Sequence, residues 1–418
     1  MRAELRGYPA RAFAVCLFAY AFTQMDLALF GYAIPSIREE FGLSLSGVMA
    51  IVSSAFVIGG MLIVWLGLTT DRLGRRRMFQ LSFVGSSLLI ALHSIVPNPA
   101  TLTALRGTSI AVGGLTYPVT GAVIAEEFPA RLRGLFLGLL QIGYPLGWAL
   151  ASVLAAWLLV DYGWRYLFLV GLLSLPFIIV INRTIREPER FVTEKAQQAT
   201  PVDRARLVEL FAPGVRRTTF LLFGAQLMFV WAYAGSVFLF PSFLAEDRGL
   251  AKDAYSILIG TGHAIGILGY IAAAMTGEFL LTRRDTAVIW VLLGSITFQF
   301  LIWQTETFTG TLIGFGVMSM FFYGSAAVKF AYLAEMFPTR LRATGLAFCG
   351  SLAVTLGSAG GPYMVSRVVE QVGWDLGLSV VVGVPLCLAG FLYLFLARVP
   401  SGLEIEEIQS YVGGGKAR

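Results

Sequence analysis

Long stretches without a charged residue restrict the possible folds of this chain most strongly. No Asp, Glu, Lys or Arg occurs in residues 41–70, 78–105, 134–160, 218–245 or 343–366. Each stretch exceeds the about 20 apolar residues with which a helix crosses ~30 Å of hydrocarbon. The strands of a membrane barrel would instead alternate in polarity over about 10 residues. The pattern therefore predicts an all-α integral membrane protein.

Twelve apolar stretches can be counted along the 418 residues. They lie near 11–34, 45–68, 78–96, 101–125, 134–160, 166–182, 217–241, 254–280, 286–304, 309–333, 343–366 and 376–397. Only 13% of the residues are charged, against about 25% in soluble domains. We expect twelve transmembrane helices embedded in a lipid bilayer.

The basic residues are distributed unequally between alternate connections. With the amino terminus placed in the cytoplasm, 24 Lys and Arg residues fall on the inner side and 5 on the outer side. Basic residues accumulate in cytoplasmic loops, so we expect both termini in the cytoplasm of a bacterial inner membrane. The net charge of +6 is thereby explained by orientation, and no nucleic-acid partner is expected.

An internal repeat divides the chain into two halves. Residues 125–134 read AEEFPARLRG and residues 334–343 read AEMFPTRLRA, and Gly163-Trp164-Arg165 is echoed by Gly373-Trp374-Asp375. Both echoes occupy equivalent positions among the predicted spans. We expect an amino-terminal six-helix half (1–182), a cytoplasmic linker (183–216), a carboxyl-terminal six-helix half (217–400) and a cytoplasmic tail (401–418).

Several short motifs carry a family resemblance. Residues 67–77, GLTTDRLGRRR, resemble the signature of the major facilitator superfamily. Residues 186–191 (REPERF) and 402–408 (GLEIEEI) are similar to loops of sugar porters, and 338–345 (PTRLRATG) to those of aromatic-acid and sialate-type proton symporters. The loop 277–285 keeps only a degenerate copy of the first signature, and span five lacks the motif of drug antiporters. The resemblance implies a pseudo-symmetric twelve-helix transporter.

Charges at the predicted cytoplasmic ends form a candidate gate. A pair such as Asp71 with Arg131 would stabilise one access state and break in the other. The alternative is that these charges only orient the protein, because surface ion pairs contribute about 0–1 kcal/mol. The candidate gate residues are Gly67, Asp71, Arg72, Gly74, Arg75, Glu126, Arg131, Arg133, Glu335, Arg340 and Arg342.

Two charged residues inside the spans are candidates for proton coupling. Asp26 on span one and Arg106 on span four lie at similar predicted depths, which permits an ion pair. An unpaired charge in a membrane helix costs about 3 kcal/mol or more, so each needs a partner or a polar cavity. The family resemblance implies that an Asp and an Arg in these positions couple proton and substrate movement. A permanent structural ion pair is the alternative.

Other polar and aromatic residues within the spans are candidates for lining a substrate pocket. Gln141 occupies the position of a sugar-contacting Gln in sugar porters, by the same resemblance. Lys329 could pair with a substrate carboxylate or extend to the inner surface. A histidine such as His263 is more often a helix–helix hydrogen-bond partner than a proton carrier. The candidates are Gln24, Tyr117, Gln141, Tyr144, Trp148, Gln226, Trp231, Tyr233, His263, Tyr323 and Lys329.

Enzyme signatures are missing from the sequence, which shows no catalytic triad, nucleotide-binding loop or metal-ligand cluster. We therefore expect a monomeric secondary transporter without cofactor or metal, using the proton as coupling ion and a small molecule as substrate. The favoured function is proton symport of a small organic anion, such as an aromatic or sugar-derived acid. A neutral sugar or polyol symporter or facilitator is one alternative, and a transporter-like membrane sensor is another. Drug efflux is disfavoured.

Overall fold

The first half of the chain forms six long helical segments, labelled α1 to α6. The computed structural model describes residues 7–73, 75–128, 130–185 and 207–399. The segments are α1 (Tyr8–Phe41), α2 (Leu45–Leu73), α3 (Arg75–Leu92), α4 (Pro99–Gly114 and Thr116–Glu127), α5 (Ala130–Leu140 and Gly143–Asp161) and α6 (Trp164–Leu169 and Phe177–Thr184). Helices satisfy every backbone polar group internally, which hydrocarbon requires.

The second half repeats this arrangement with six further segments. They are α7 (Arg216–Val237 and Phe240–Glu246), α8 (Lys252–Met275), α9 (Arg283–Gln304), α10 (Phe308–Met318 and Ala326–Glu335), α11 (Thr339–Gly345 and Ala353–Val372) and α12 (Trp374–Leu378 and Val384–Leu394). Wider π-helical turns interrupt or extend four of them, at Thr276–Leu280, Ser319–Tyr323, Leu346–Leu352 and Ser379–Gly383.

The helices confirm the predicted membrane fold. Within the described ranges, eleven helical stretches are long and apolar enough to cross a membrane. The twelfth, α11, lies where span eleven was predicted and packs against α2 and α7. The fold is therefore an all-α bundle of two six-helix halves.

Helix α1 continues beyond its predicted end. The sequence places the end of span one at residue 34, whereas the helix runs to Phe41 with Pro35 inside it. Proline is tolerated within membrane helices because neighbouring groups satisfy the backbone carbonyl that it leaves free. Asp26 consequently lies fifteen residues, about 22 Å, before the end of its helix, whereas the predicted end at residue 34 would place it eight residues, about 12 Å, before that end.

The repeated Gly-Trp motifs have the same backbone conformation. Gly163 has φ 86° and ψ 173°, and Gly373 has φ 86° and ψ 172°, and each precedes a helix that begins at a tryptophan. A positive φ of this kind favours glycine. The ion pair beside each motif has its charges reversed between the halves. In the first half Arg165, after the motif tryptophan, binds Glu40 at 2.5 Å, whereas in the second half Asp375 occupies that position and lies 3.6 Å from Arg248. We call these two pairs the corner pairs.

The two halves meet along two helix pairs, α2 with α11 and α5 with α8. These contacts depend on glycine, because a Cβ on Gly60 would overlap Thr355 and a Cβ on Gly260 would overlap Ser152. Small residues let membrane helices approach closely. The centre of the molecule is therefore enclosed between the halves.

Parts of the predicted domain division lie outside the described residues. These parts are most of the linker 183–216, the whole tail 401–418 and the motifs at 186–191 and 402–408. Residues Leu207–Phe211, at the end of the predicted linker, form a short 3-10 helix.

Candidate functional site

An aromatic cluster joins the two halves at the centre of the bundle. Trp148 of α5 stacks on His263 of α8 with ring centroids 5.2 Å apart and an interplanar angle of 12°. Tyr323 of α10 also stacks on His263, with ring centroids 5.3 Å apart and an interplanar angle of 21°. Tyr144 and Tyr233 lie 5.1 Å apart and extend the cluster from α5 to α7. Residues of both halves thus build one central site.

Phenol groups converge in this cluster. Five phenols, one each from α1, α5, α7, α8 and α10, lie close enough to interact electrostatically. They belong to Tyr20, Tyr144, Tyr233, Tyr270 and Tyr323. The hydroxyl of Tyr20 donates to Gln141 Oε1 at 3.4 Å. Buried phenols usually have hydrogen-bond partners, but the Tyr144 hydroxyl has none among the described residues. The cluster therefore holds polar groups at its centre within apolar surroundings. This is the typical make-up of a small-molecule site.

Local breaks in two helices position these side chains. Helix α5 turns tightly at Gln141, where the Tyr144 amide donates to the Gln141 carbonyl at 3.0 Å. Below this turn, Gly147 packs so closely on α1 that a Cβ would lie 2.6 Å from the Met25 amide nitrogen. Tyr323 ends the π-helical turn of α10. Such turns occur frequently at functional sites.

Lys329 brings a buried amino group next to the cluster. Its residue exposure is 3%, and its ammonium lies over the ring of Phe229. Phe229 in turn stacks on Tyr233 at 5.9 Å. The Lys329 ammonium has no hydrogen-bond partner among the residues that the structure describes. A cation over an aromatic face is stabilised, but its three donors are unused.

Asp26 and Arg106 are neighbours but do not form an ion pair. The Arg106 guanidinium donates to the backbone carbonyl of Asp26 at 3.5 Å and to that of Leu27 at 3.2 Å. It also lies 4.4 Å from the centroid of the Phe30 ring. Both charged residues are buried, and Asp26 Oδ1 finds no hydrogen-bond partner in the described part of the chain.

Polar contacts link the halves at the end of the bundle that carries the α1–α2 connection, called here the α1–α2 end. Arg38 forms an ion pair with Glu246, and the Ser46 amide donates to Glu370 Oε1 at 2.8 Å. Lys252 lies 3.9 Å from Glu39. These contacts tie α1 and α2 to α7, α8 and α11.

The opposite end, which carries the α2–α3 connection, is organised around Arg283. This residue lies 2.6 Å from Glu278 and also pairs with Glu335. Its guanidinium reaches the other half, because a Cβ on Gly134 would lie 3.0 Å from Arg283 Cζ. The halves therefore meet on both sides of the central cluster.

The structure brings together many of the predicted pocket residues. Tyr144, Trp148, Tyr233, His263 and Tyr323 belong to the aromatic cluster, with Gln141 beside it. Gln226 is buried on α7, one turn before Phe229.

Other predicted residues have different surroundings. Trp231 packs against α11, where a Cβ on Gly360 would overlap its ring. Gln24 lies at the contact of α1 with α5, with its Cβ 2.7 Å from the position of a Cβ on Gly147. The hydrogen bond of His263 lies within its own helix, to the Ile259 carbonyl. The side chain of Tyr117 lies outside those that the structure describes.

The predicted gate is described only in part. Glu335 pairs with Arg283, and Arg342 Nε donates to the Ala334 carbonyl at 3.0 Å. The structure does not describe the remaining predicted gate residues, which are Gly67, Asp71, Arg72, Gly74, Arg75, Glu126, Arg131, Arg133 and Arg340. The Asp71–Arg131 contact stays a prediction.

Sequence reasoning missed several residues of the site. Tyr20, Tyr270 and Phe229 carry no sequence signal beyond being aromatic residues in spans. Arg283 could have been found, because it lies in the degenerate copy of the signature, at the place where the first half has its basic residues.

Comparisons with known proteins agree with this architecture. The sequence profile of the Major Facilitator Superfamily matches residues 16–281. A solved structure of a bacterial homolog to the human lysosomal transporter Spinster, inward-facing and occupied, matches with a TM-score of 0.69 at 14% identity. It covers 93% of this chain and 96% of that chain.

Several transporters of known name are similar along most of the chain. The cis,cis-muconate transport protein of Acinetobacter baylyi is 28% identical, over 95% of this chain and 94% of that protein. The gallate transporter of Pseudomonas putida is 24% identical, over 82% of each. The 4-hydroxybenzoate transporter PcaK of Acinetobacter baylyi is 25% identical, over 84% of this chain and 83% of that protein. The chain is a multi-pass membrane transporter and belongs to the Major Facilitator Superfamily.

Proposed function

We propose that this transporter carries a small organic anion, an aromatic acid or a related carboxylate, together with a proton by alternating access. The observation that carries the proposal is the buried Lys329 ammonium beside the aromatic cluster. A buried cation without a partner is costly, and a substrate carboxylate would supply the missing partner. The names of the muconate, gallate and 4-hydroxybenzoate transporters support the same substrate class.

The arrangement of Asp26 and Arg106 supports proton coupling. Arg106 binds backbone carbonyls, and the buried Asp26 carboxyl is not paired with it. A carboxylate buried in this way would be expensive if ionised, so this conformation suits the protonated acid. Loss of the proton would draw the guanidinium from the carbonyls to the carboxylate. Proton release thereby becomes linked to a rearrangement between α1 and α4.

Alternating access requires contacts that break at one end while others form. With both termini in the cytoplasm, the α1–α2 end faces outward. The contacts Arg38–Glu246 and Ser46–Glu370 then close the outer side, and Arg283 with its two glutamates belongs to the inner gate. Rocking of one half against the other would exchange these contacts.

Uptake by proteoliposomes tests the proposal. Radiolabelled benzoate, 4-hydroxybenzoate, muconate, a hexuronate, glucose and glycerol would be offered with and without an inward proton gradient. We expect accumulation of one or more of the acids, abolished by a protonophore. Accumulation of only the neutral solutes would contradict the anion assignment, and uptake driven by a sodium gradient alone would contradict proton coupling.

Two variants with matched controls separate the roles of the charged residues. Lys329→Met should reduce acid binding at least tenfold, whereas Arg216→Met, at an exposed basic residue at the start of α7, should not. Asp26→Asn should abolish accumulation driven by the proton gradient but keep exchange of internal for external substrate. Asp161→Asn, at an exposed carboxylate, should retain both. An Asp26→Asn protein that still accumulates substrate would assign Asp26 a structural role.

A further inference from the structure

His263 holds a buried hydrogen-bond acceptor at the centre of the molecule. Its ring is fully buried and lies between Trp148 of one half and Tyr323 of the other. Tyr144 and Phe315 contact it from the sides, with ring centroids at 6.3 and 5.4 Å. These four neighbours carry no formal charge that would pair with an imidazolium.

The hydrogen bond of His263 determines its tautomer. Nδ1 lies 2.8 Å from the Ile259 carbonyl oxygen. A carbonyl only accepts, so Nδ1 carries the hydrogen and Nε2 of the neutral ring is an acceptor. Nε2 is buried and has no hydrogen-bond partner in the described ranges of the chain. A buried polar atom of this kind is normally paired, which points to a donor brought by a ligand.

Lys329 provides the second polar point of the same site. It follows Tyr323, the residue stacked on His263, by six positions on α10, which corresponds to about 9 Å along the helix. The rings of Phe229, Tyr233 and Tyr323 connect the two points, with Tyr233 4.9 Å from Tyr323. The site therefore has a cation at one end, a neutral acceptor at the other and aromatic faces between them.

We propose that His263 determines substrate specificity by accepting, at Nε2, a hydrogen bond from a hydroxyl or amino group of the transported acid. The carboxylate of the acid lies at Lys329, and its planar body packs on the aromatic rings. This inference rests on the proposed transport of an organic anion. It adds that the anion carries a hydrogen-bond donor at the end opposite its carboxylate.

Binding of three matched ligands to the purified full-length protein tests the inference. Benzoate has no donor at the far end, 4-hydroxybenzoate has one, and 4-methoxybenzoate presents only an acceptor there. We expect the wild type to bind 4-hydroxybenzoate about tenfold or more tightly than either of the others in isothermal titration calorimetry. Equal affinity for all three would overturn the inference.

Two substitutions assign the preference to Nε2. His263→Phe keeps a ring for stacking but removes the acceptor, so 4-hydroxybenzoate should lose its advantage while benzoate affinity changes less than threefold. His263→Gln retains an acceptor and should keep part of the preference. A full preference in His263→Phe would overturn the inference. If His263→Phe does not fold, His263→Leu, which also lacks an acceptor, replaces it: loss of the preference supports the inference, and a full preference overturns it.

The result also separates this inference from the proposed function. If no acid binds the wild type, or if Lys329→Met binds acids as well as the wild type does, the assignment of an organic anion fails. If acids bind in a Lys329-dependent manner without preference for the hydroxyl, only the role of His263 fails.

Discussion

The contact between α5 and α8 can be tested by adding one methyl group at Gly260. A Cβ there would overlap the side chain of Ser152 in the other half, so the helices must separate or Ser152 must leave its rotamer. Overpacking of this kind costs about 1–3 kcal/mol. If the two helices separate here in another access state, the added methyl group destabilises only the present conformation. Gly260→Ala should then shift the ratio of the two states by about 5- to 150-fold.

Double electron–electron resonance, which measures the distribution of distances between two spin labels, can detect this shift. Labels at Ala100→Cys, at the exposed start of α4, and at Glu306→Cys, in the exposed turn before α10, report the opening of the α1–α2 end in a protein without its three native cysteines. We expect Gly260→Ala to increase the population with the longer distance.

Two controls make the measurement specific. Gly121→Ala also adds a methyl group to a membrane helix, but its nearest neighbour, Leu137, lies 4.0 Å away, so it should leave the distances unchanged. Adding Ser152→Gly to Gly260→Ala should restore the wild-type distribution. An unchanged distribution in Gly260→Ala, or an equal shift in Gly121→Ala, would refute the reasoning.

Three further predictions concern stability and gating. Gly163→Ala and Gly373→Ala should each lower the thermal unfolding temperature by a similar amount, because both force a side chain into the same positive-φ conformation, and unequal losses in a detergent thermal-shift assay would contradict their equivalence. Arg283→Ala should slow transport turnover more than it weakens substrate affinity, since it removes the partner of Glu335, and unchanged turnover would exclude Arg283 from the gate. Burial raises the pKa of Asp247, opposed by Arg248, so its contribution to stability is present at low pH and is lost as pH rises through the raised pKa. The stability of Asp247→Asn, measured relative to the wild type, should therefore be higher near pH 7 than near pH 4. A difference in melting temperature that stays constant across this pH range would contradict the assignment.

The sequence predicted the fold well because the bilayer imposes a simple requirement. Charge-free runs of sufficient length must be helices, and the repeated Gly-Trp motif identified equivalent corners of the halves. The apolar stretch of span one ends near residue 34, whereas helix α1 continues through Pro35 to Phe41, because proline inside a membrane helix has neighbours that compensate for it.

The aromatic and polar residue types of the central cluster can be read from the sequence, but their arrangement cannot. A span containing Trp231 and Tyr233 does not reveal that the first packs on α11 and the second on the aromatic cluster. Nor does the presence of Asp26 and Arg106 reveal that the guanidinium binds carbonyls, since this depends on the relative height of α1 and α4. Side-chain direction in tightly packed helices is decided by tertiary contacts that a single sequence does not show.

The corner pairs have a consequence for how the two halves assemble during insertion into the membrane. The two corners share backbone geometry and could in principle exchange partners, because each half builds its corner from the end of its first helix and the start of its last. Such an exchange would place Glu40 against Asp375 and Arg248 against Arg165, two like-charged contacts in place of two attractive ones. The reversed charges at the two corners therefore favour pairing of each first helix with the last helix of its own half.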